Sequence, residues 1–128
     1  MRLLLDTHAL LWWLTDDPQL SAHARELIDD EGNEVMVSAA SAWEIATKQR
    51  IGKLDGIAPV AQWFSPLLAA DGFQPLPITA AHALRAGAYK VDHRDPFDRM
   101  LAAQAELESV PLVTRDPAMA VFSCKTLW

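Results

Sequence analysis

Short apolar segments, each followed by a helix-forming segment, constrain the fold of this chain most strongly. Residues 3–5 are three consecutive leucines that stop at an acid, and residues 34–37 and 111–114 are similar short segments. Such runs, apolar rather than alternating with polar residues, are typical of strands buried on both faces of a parallel sheet. The sequence therefore predicts an α/β fold with a parallel sheet of about four to five strands, flanked by helices on both faces.

Capping residues and prolines mark where the intervening helices begin. Ser21 and Thr79 are typical N-cap residues, and the prolines at positions 59, 96 and 117 suit the first turn of a helix. Helices are predicted at residues 8–14, 22–29, 39–51, 59–70, 79–88 and 95–109, with a short one after Asp116. Two weaker strands are predicted at residues 73–77 and 125–127. Strands and helices thus alternate along the whole chain.

Length and composition indicate one ordinary globular domain over residues 1–128. Half of the residues are hydrophobic and 22% are charged. No apolar run approaches the roughly 18 residues that a membrane span needs, and an acid at position 6 comes too early for a signal peptide. Cys124 is the single cysteine and has no partner for an internal disulfide. We therefore expect a cytoplasmic protein without a membrane partner.

The net charge of −6, from 17 acidic and 11 basic residues, limits the kinds of partner that the chain can bind. A surface of this sign argues against broad, unspecific binding of duplex nucleic acid. It does not exclude a nuclease, because two divalent ions would cancel four of the negative charges. A pocket loaded with metal and flanked by arginine would accept a phosphate.

Four acids are expected at one edge of the predicted sheet. Asp6 follows the first strand and Asp116 the fourth, while Glu44 lies early in the helix after the second strand and Asp98 opens the helix at residues 95–109. The carboxyl ends of parallel strands share an edge, where ligands bind in such folds. Carboxylates gathered there would repel one another. A hard divalent cation with oxygen ligands removes that conflict, so the sequence predicts a metal site.

Most of these acids also have a purely structural interpretation. Asp6 and Asp116 each precede a helix and would serve as N-caps, and Asp95 before Pro96 is a still better cap. Glu44 would form a surface ion pair with Lys48 one turn later. Asp98 is harder to explain in this way, because its neighbours on the helix, Leu101, Ala102 and Ala105, form an apolar face. A buried acid needs a partner, either a metal ion or the helix N-terminus.

Residues beside the acids have two interpretations each. The hydroxyls of Thr7, Ser41 and Thr114 would support the acids from a second shell or bond to local backbone. Arg94, Arg99 and Arg115 would bind RNA phosphates or stay solvated. His8 lies near the expected edge and would touch substrate, although no histidine spacing resembles a zinc site. Trp12, Trp13 and Trp43 are predicted in the core, with base stacking as the alternative.

Four segments resemble the PIN domains and, more narrowly, the VapC-type toxins of toxin–antitoxin operons. The segments are Leu4-Leu5-Asp6-Thr7-His8, Ser41-Ala42-Trp43-Glu44-Ile45, residues 95–105 from Asp95-Pro96-Phe97-Asp98-Arg99 onward, and Leu112-Val113-Thr114-Arg115-Asp116. They occur in the family's order and span nearly the whole chain. Any one of them is a weak signal, whereas the four together are fairly specific.

The resemblance implies a metal-dependent endoribonuclease that hydrolyses RNA phosphodiesters. It places the family's four acids at Asp6, Glu44, Asp98 and Asp116, which would hold one or two Mg²⁺ or Mn²⁺ ions. Asp95 matches a recurrent acid of this motif and would act as a cap or outer support. The resemblance also implies a cognate VapB-type antitoxin, a homodimer that can enter a higher-order complex with the antitoxin, and contact with promoter DNA only through the antitoxin.

Other functional classes fit the sequence less well. A phosphatase similar to the haloacid dehalogenases would need a second Asp where this chain has His8. Neither glycine-rich phosphate-binding motif, GxGxxG or GxxxxGK[ST], occurs, and no Gly-x-Ser-x-Gly elbow is present. The alternative that remains is a PIN-like module that binds RNA or protein without cutting.

Overall fold

A computed structural model describes all 128 residues and shows a single five-stranded sheet. The strands are β1 (Arg2–Leu5), β2 (Glu34–Ser38), β3 (Gln74–Leu76), β4 (Leu112–Val113) and β5 (Thr126–Leu127). Their order across the sheet is β3-β2-β1-β4-β5, and every neighbouring pair is parallel. The predicted α/β fold with a parallel sheet is therefore confirmed, including the two weak strands.

Six α-helices and one short 3₁₀ helix connect the strands. They are α1 (Thr7–Leu14), α2 (Ala22–Asp29), α3 (Ala39–Arg50), α4 (Val60–Asp71), α5 (Ala80–Ala88), α6 (Pro96–Leu107) and the 3₁₀ helix Pro117–Val121. Helix α6 ends two residues before the predicted end, since Ser109 adopts a positive φ of 56° that an α-helix does not allow. None of these helices combines the length and apolarity that a membrane crossing requires.

The predicted caps are confirmed at several helix starts. The side chain of Ser21 accepts a hydrogen bond from the Ala24 amide, and Asp95 accepts from the amides of Phe97 and Asp98. Each cap satisfies amides that the first turn of a helix leaves without a backbone partner. These local bonds fix where the helices begin and hence which residues face the carboxyl end of the sheet.

The strands are apolar because helices cover both faces of the sheet. Leu3 and Leu5 of β1 point into a cluster with residues of α1, α2 and α4. Leu4 points to the opposite face and packs with Leu101 and other residues of α6. All three leucines are fully buried. Alternate strand residues therefore serve two separate cores, which is why no polar alternation is visible in the sequence.

The strand order creates a crevice at the carboxyl ends of β1 and β4. From β1 the chain builds β2 and β3 on one side, and then returns to add β4 and β5 on the other. The loops leaving β1 and β4 therefore diverge to opposite sides of the sheet. Ligands in open α/β sheets bind at such a switch in strand order. Asp6 directly follows β1, and Asp116 lies three residues after the end of β4.

Candidate active site

Asp6 is an inward-facing carboxylate at the carboxyl end of the central strand. Its Oδ1 accepts a hydrogen bond of 2.7 Å from the Ala9 amide, so the predicted N-cap role is confirmed. Burial raises the pKa of Asp6, and the negative charge of Asp98 raises this pKa further, while the Thr114 hydroxyl, the Ala9 amide and the charge of His8 partly offset the rise. No basic side chain forms a salt bridge with it. Asp6 is therefore a half-buried carboxylate whose charge is stabilised by hydrogen bonds and by His8 at a distance, and not by an ion pair.

Asp98 reaches the same region from the first turn of α6. Its Oδ2 lies 2.9 Å from Nε2 of His93, in the loop before that helix. Burial raises the pKa of Asp98, and the negative charges of Asp95 and Glu44 add to this rise, while His93 counteracts it. Asp98 thus interacts electrostatically with Asp6 as well as with Glu44. Residues distant in sequence meet here, as predicted from the strand ends.

Glu44 is a buried acid with a cationic partner on its own helix. Only 4% of the residue is exposed, and its Oε2 lies 2.9 Å from Nζ of Lys48. The predicted ion pair is confirmed, but it is not a surface pair, because the carboxylate is buried beneath the lysine. Removing the lysine would leave a buried charge without a partner, which is costly.

Asp116 lines a small cavity together with Asp6. The cavity has a volume of about 280 Å³, and its other lining residues are His8, Trp12, Arg115 and Pro117. Asp116 is exposed and caps the 3₁₀ helix, because its Oδ1 accepts a hydrogen bond of 2.9 Å from the Ala118 amide. The carboxyl ends of β1 and β4 thus contribute one acid each to the same cavity.

The four predicted acids surround one region, but their oxygen atoms do not converge on a point. No group of three or more His, Cys, Asp or Glu side chains is arranged to hold a metal ion. His93 engages Asp98, and Lys48 engages Glu44. The structure therefore shows the acids as electrostatic neighbours, two of them paired with nearby basic residues.

The three predicted hydroxyls occupy different environments. Oγ1 of Thr7 donates a hydrogen bond of 3.0 Å to Oγ of Ser41, and both residues are buried. This bond joins the starts of α1 and α3 and involves no acid. Thr114, by contrast, accepts a hydrogen bond of 3.1 Å from the Asp116 amide and also stabilises the charged form of Asp6. Thr114 therefore links two of the acids.

The three predicted arginines also differ. Arg99 donates to the backbone carbonyls of Ala86, Tyr89 and His93 at 2.6 to 2.9 Å, so its guanidinium holds the loop that carries His93. It has little capacity left for a phosphate. Arg94 is exposed and forms neither an ion pair nor a side-chain hydrogen bond. The guanidinium of Arg115 lies 4.5 Å from the ring centroid of Trp12.

Sequence reasoning missed the partner of Asp98 and misplaced one tryptophan. The sequence assigns no role to His93, since no spacing rule connects it to a residue five positions later across a helix start. Trp43 was predicted in the core, which is wrong: it is 55% exposed and contacts the Phe97 ring edge-on, with 4.6 Å between centroids. Trp12 and Trp13 pack against the core as predicted.

Comparison with known proteins gives consistent results. Residues 3–123 match the family model of the PIN domain. Ribonuclease VapC22 of Mycobacterium tuberculosis is 32% identical over 114 residues, which cover 88% of this chain and 85% of that protein. Ribonuclease VapC16 of the same organism is 39% identical over 69 residues, so the match spans 51% of this chain and about half (49%) of that relative.

Solved structures share the fold at low sequence identity. A chain of VapBC2 from Rickettsia felis, bound to a DNA fragment from their promoter, superposes with a TM-score of 0.71 at 15% identity and covers 100% of this chain and 99% of its own length. A chain of VapBC-1 from nontypeable Haemophilus influenzae gives a TM-score of 0.69 at 14% identity, with 99% and 97% covered. The likeness extends over the entire sheet and its helices.

Proposed function

The chain belongs to the PIN-domain family, and we propose on this premise that it is a single-domain, metal-dependent endoribonuclease of the VapC type. One observation carries the proposal: Asp6 is a half-buried carboxylate that forms no salt bridge and lies close enough to Asp98 for the two charges to interact. If this charge had no function, a neutral residue in place of Asp6 would make the folded protein more stable. The names of the relatives VapC22 and VapC16 indicate RNA as the substrate.

The donor set suits Mg²⁺ or Mn²⁺. All four candidate ligands are carboxylates, which hard cations prefer, and the charge at Asp6, which interacts with that of Asp98, favours a cation at this position. We propose Asp6 and Asp98 as direct ligands of one or two ions. Glu44 and Asp116 would ligate directly or through water, or act as a general base. When bound, the metal supplies Lewis acidity, which makes an attacking water more acidic and neutralises charge on the leaving oxygen.

The chain's own residues orient the acids for this role. The Ala9 amide fixes Oδ1 of Asp6 and hence the direction of its carboxylate. Thr114 restrains both Asp6 and the backbone at Asp116. His93 keeps Asp98 from rotating freely, and Arg99 holds the loop that carries His93. Asp116, exposed at the cavity beside Asp6, is placed to accept a proton from a water that attacks the phosphodiester.

A PIN-like module that binds RNA or protein without cutting remains the alternative. It predicts that the acids serve only as caps and ion-pair partners, as Asp116 and Glu44 do in the structure. Such roles leave the buried charge of Asp6 unexplained, because an asparagine would cap α1 equally well. The nuclease explains both the caps and the charge.

We also propose the partners that VapC-type toxins imply. The structural neighbours are named as VapBC pairs, and one of them is described as bound to promoter DNA. We infer a cytoplasmic homodimer that binds a VapB-type antitoxin, can form a higher-order complex with it, and contacts promoter DNA only through it. A solution mass equal to that of the monomer at micromolar concentration would contradict the dimer.

The decisive experiment measures cleavage of a labelled structured RNA with Mg²⁺, with Mn²⁺ and with EDTA. Wild type is compared with Asp98→Asn, which keeps the side-chain shape but removes the charge, and with Asp55→Asn as a control. Asp55 is exposed and forms no ion pair or side-chain hydrogen bond. We expect cleavage by wild type and Asp55→Asn only with metal, and none by Asp98→Asn. Cleavage that persists in folded Asp98→Asn would refute this site.

A further inference from the structure

Arg115 is held in place by an aromatic ring instead of by a carboxylate. Its guanidinium carbon lies 4.5 Å from the centroid of Trp12, within the range of a cation–π interaction. Trp12 is itself fixed, because Trp128 contacts it edge-on with 5.8 Å between centroids and His8 lies 5.5 Å away. The ring is half-buried and packs against the core. Trp12 thus presents the guanidinium in a defined orientation.

The hydrogen-bond donors of Arg115 are free. The side chain forms neither a salt bridge nor a hydrogen bond with the protein, although Asp116 follows it directly in the chain. Arg99 is the opposite case, because its donors are used by backbone carbonyls. A planar guanidinium with free donors is well suited to bind a phosphate with two parallel hydrogen bonds.

The cavity at this point combines a fixed cation with two of the candidate acids. Arg115 and Trp12 line the cavity of about 280 Å³ together with Asp6 and Asp116. That volume is at the lower end for ligand sites. An RNA strand approaching these acids meets electrostatic repulsion, which a neighbouring guanidinium offsets.

We propose that Arg115 binds a backbone phosphate of the RNA beside the acids and that Trp12 is the residue that positions it. The proposal rests on the proposed nuclease function and adds the residues that hold the substrate strand. Three neighbours contact the Trp12 ring, so its role is to orient Arg115, and not to stack on a base. Because a phosphate contact carries no sequence information, Arg115 contributes affinity equally to all RNA sequences.

The test measures binding of a fluorescein-labelled, mixed-sequence single-stranded RNA by fluorescence anisotropy over a series of salt concentrations. All proteins carry Asp98→Asn and are kept in EDTA, which prevents cleavage and removes one repelling charge. The added substitutions are Arg115→Gln, Trp12→Leu and Trp12→Phe. Arg2→Gln is the matched control. Arg2 is the first residue of β1 and so lies at the amino end of the strands, away from the acids, and the substitution removes the same charge.

We expect Arg115→Gln to weaken binding about tenfold to a hundredfold, the effect of losing hydrogen bonds to a charged group. The slope of log affinity against log salt should fall by about 0.7, the value for one phosphate contact on a single strand. Trp12→Leu should reproduce part of both effects. Trp12→Phe should keep the affinity and the salt slope of the parent, because phenylalanine retains an aromatic face. Arg2→Gln should leave the slope unchanged. Equal slopes for Arg115→Gln and its parent, or no RNA binding by the parent, would overturn the proposal.

Cleavage assays with otherwise wild-type protein separate this proposal from the nuclease itself. If the chain cleaves RNA, Arg115→Gln should raise KM and leave kcat within about a factor of two, since a contact to a phosphate that is not itself cleaved acts equally on the bound substrate and the transition state. RNA cleavage with a salt slope independent of Arg115 would refute the phosphate site and retain the nuclease. A salt slope that depends on Arg115, without cleavage by wild type, would retain the phosphate site and refute the nuclease.

Discussion

Replacing Asp6 by asparagine tests whether the charge of this residue serves a metal or the fold. Asparagine is as good an N-cap as aspartate, so its side-chain oxygen can keep the 2.7 Å bond from the Ala9 amide. Only the charge is removed. Burial raises the pKa of Asp6, which means that the ionised carboxylate is less favourable in the folded protein than in the unfolded chain. Without metal, Asp6→Asn should therefore melt no lower than wild type.

In the presence of metal, wild type should melt at a higher temperature than Asp6→Asn. An ion present at one hundred times its Kd stabilises the folded state by about 2.7 kcal/mol. For 128 residues, an unfolding entropy of about 2.1 cal/mol/K per residue converts that energy into a rise in Tm of about 10 °C. Wild type should show this rise with Mn²⁺, and Asp6→Asn should lose most of it, because one direct ligand is neutral.

Thermal unfolding followed by circular dichroism, in EDTA and in a Mn²⁺ titration, measures both effects. Asp55→Asn provides a matched loss of charge at an exposed position and should behave as wild type does in both conditions. The reasoning is refuted if Mn²⁺ stabilises Asp6→Asn as much as wild type. It is also refuted if Asp6→Asn melts several degrees lower in EDTA, since the charge would then support the fold directly.

Three further predictions concern pH and the groups that position the site. Because burial raises the folded pKa of Asp6 above 3.8, its contribution to stability is present below that pH and is lost as pH rises through the folded pKa. Urea unfolding in EDTA should show wild type losing stability relative to Asp6→Asn over this window, and a difference that is flat with pH would contradict the pKa shift. Gln104→Leu removes the acceptor of the 2.5 Å hydrogen bond from Ser38 in a fully buried position. The free energy of unfolding, measured by urea titration, should therefore fall by about 1–3 kcal/mol. Arg99→Met should lower the unfolding free energy by about 2–4 kcal/mol and speed amide hydrogen exchange in residues 89–93, whose carbonyls it binds; unchanged exchange there would show that the loop is held otherwise.

The fold was largely predictable because its signals are local. Residues 3–5 are apolar without alternation, and helices cover both faces of the sheet. Ser21 and Asp95 mark helix starts by side-chain bonds that span only two or three residues. Strand β4 was predicted longer than it is, since its flanking residues Pro111 and Thr114 pair by single backbone bonds at the strand ends. The ends of a strand depend on pairing with the neighbouring strand and not on the β-propensity of the residues.

That the four acids would lie near one another was predictable, but which of them pair with basic side chains was not. Acids that follow parallel strands must share an edge, and this rule alone places Asp6 beside Asp116. No comparable rule gives His93 to Asp98, or directs the donors of Arg99 to backbone carbonyls while Arg115 lies over Trp12. Those assignments depend on the path of the loop at residues 89–95 and on the direction of side chains in three dimensions.

The strand and helix order, the parallel sheet and the edge at which the acids gather follow from the sequence, because hydrophobic pattern, caps and chain direction are properties of neighbouring residues. Which charges are compensated follows only from the packing of the elements. Lys48 covers Glu44 and His93 contacts Asp98, whereas Asp6 has no such partner and Arg115 rests on Trp12. Electrostatic energies depend on distance and burial, and both are fixed only when elements distant in sequence pack together.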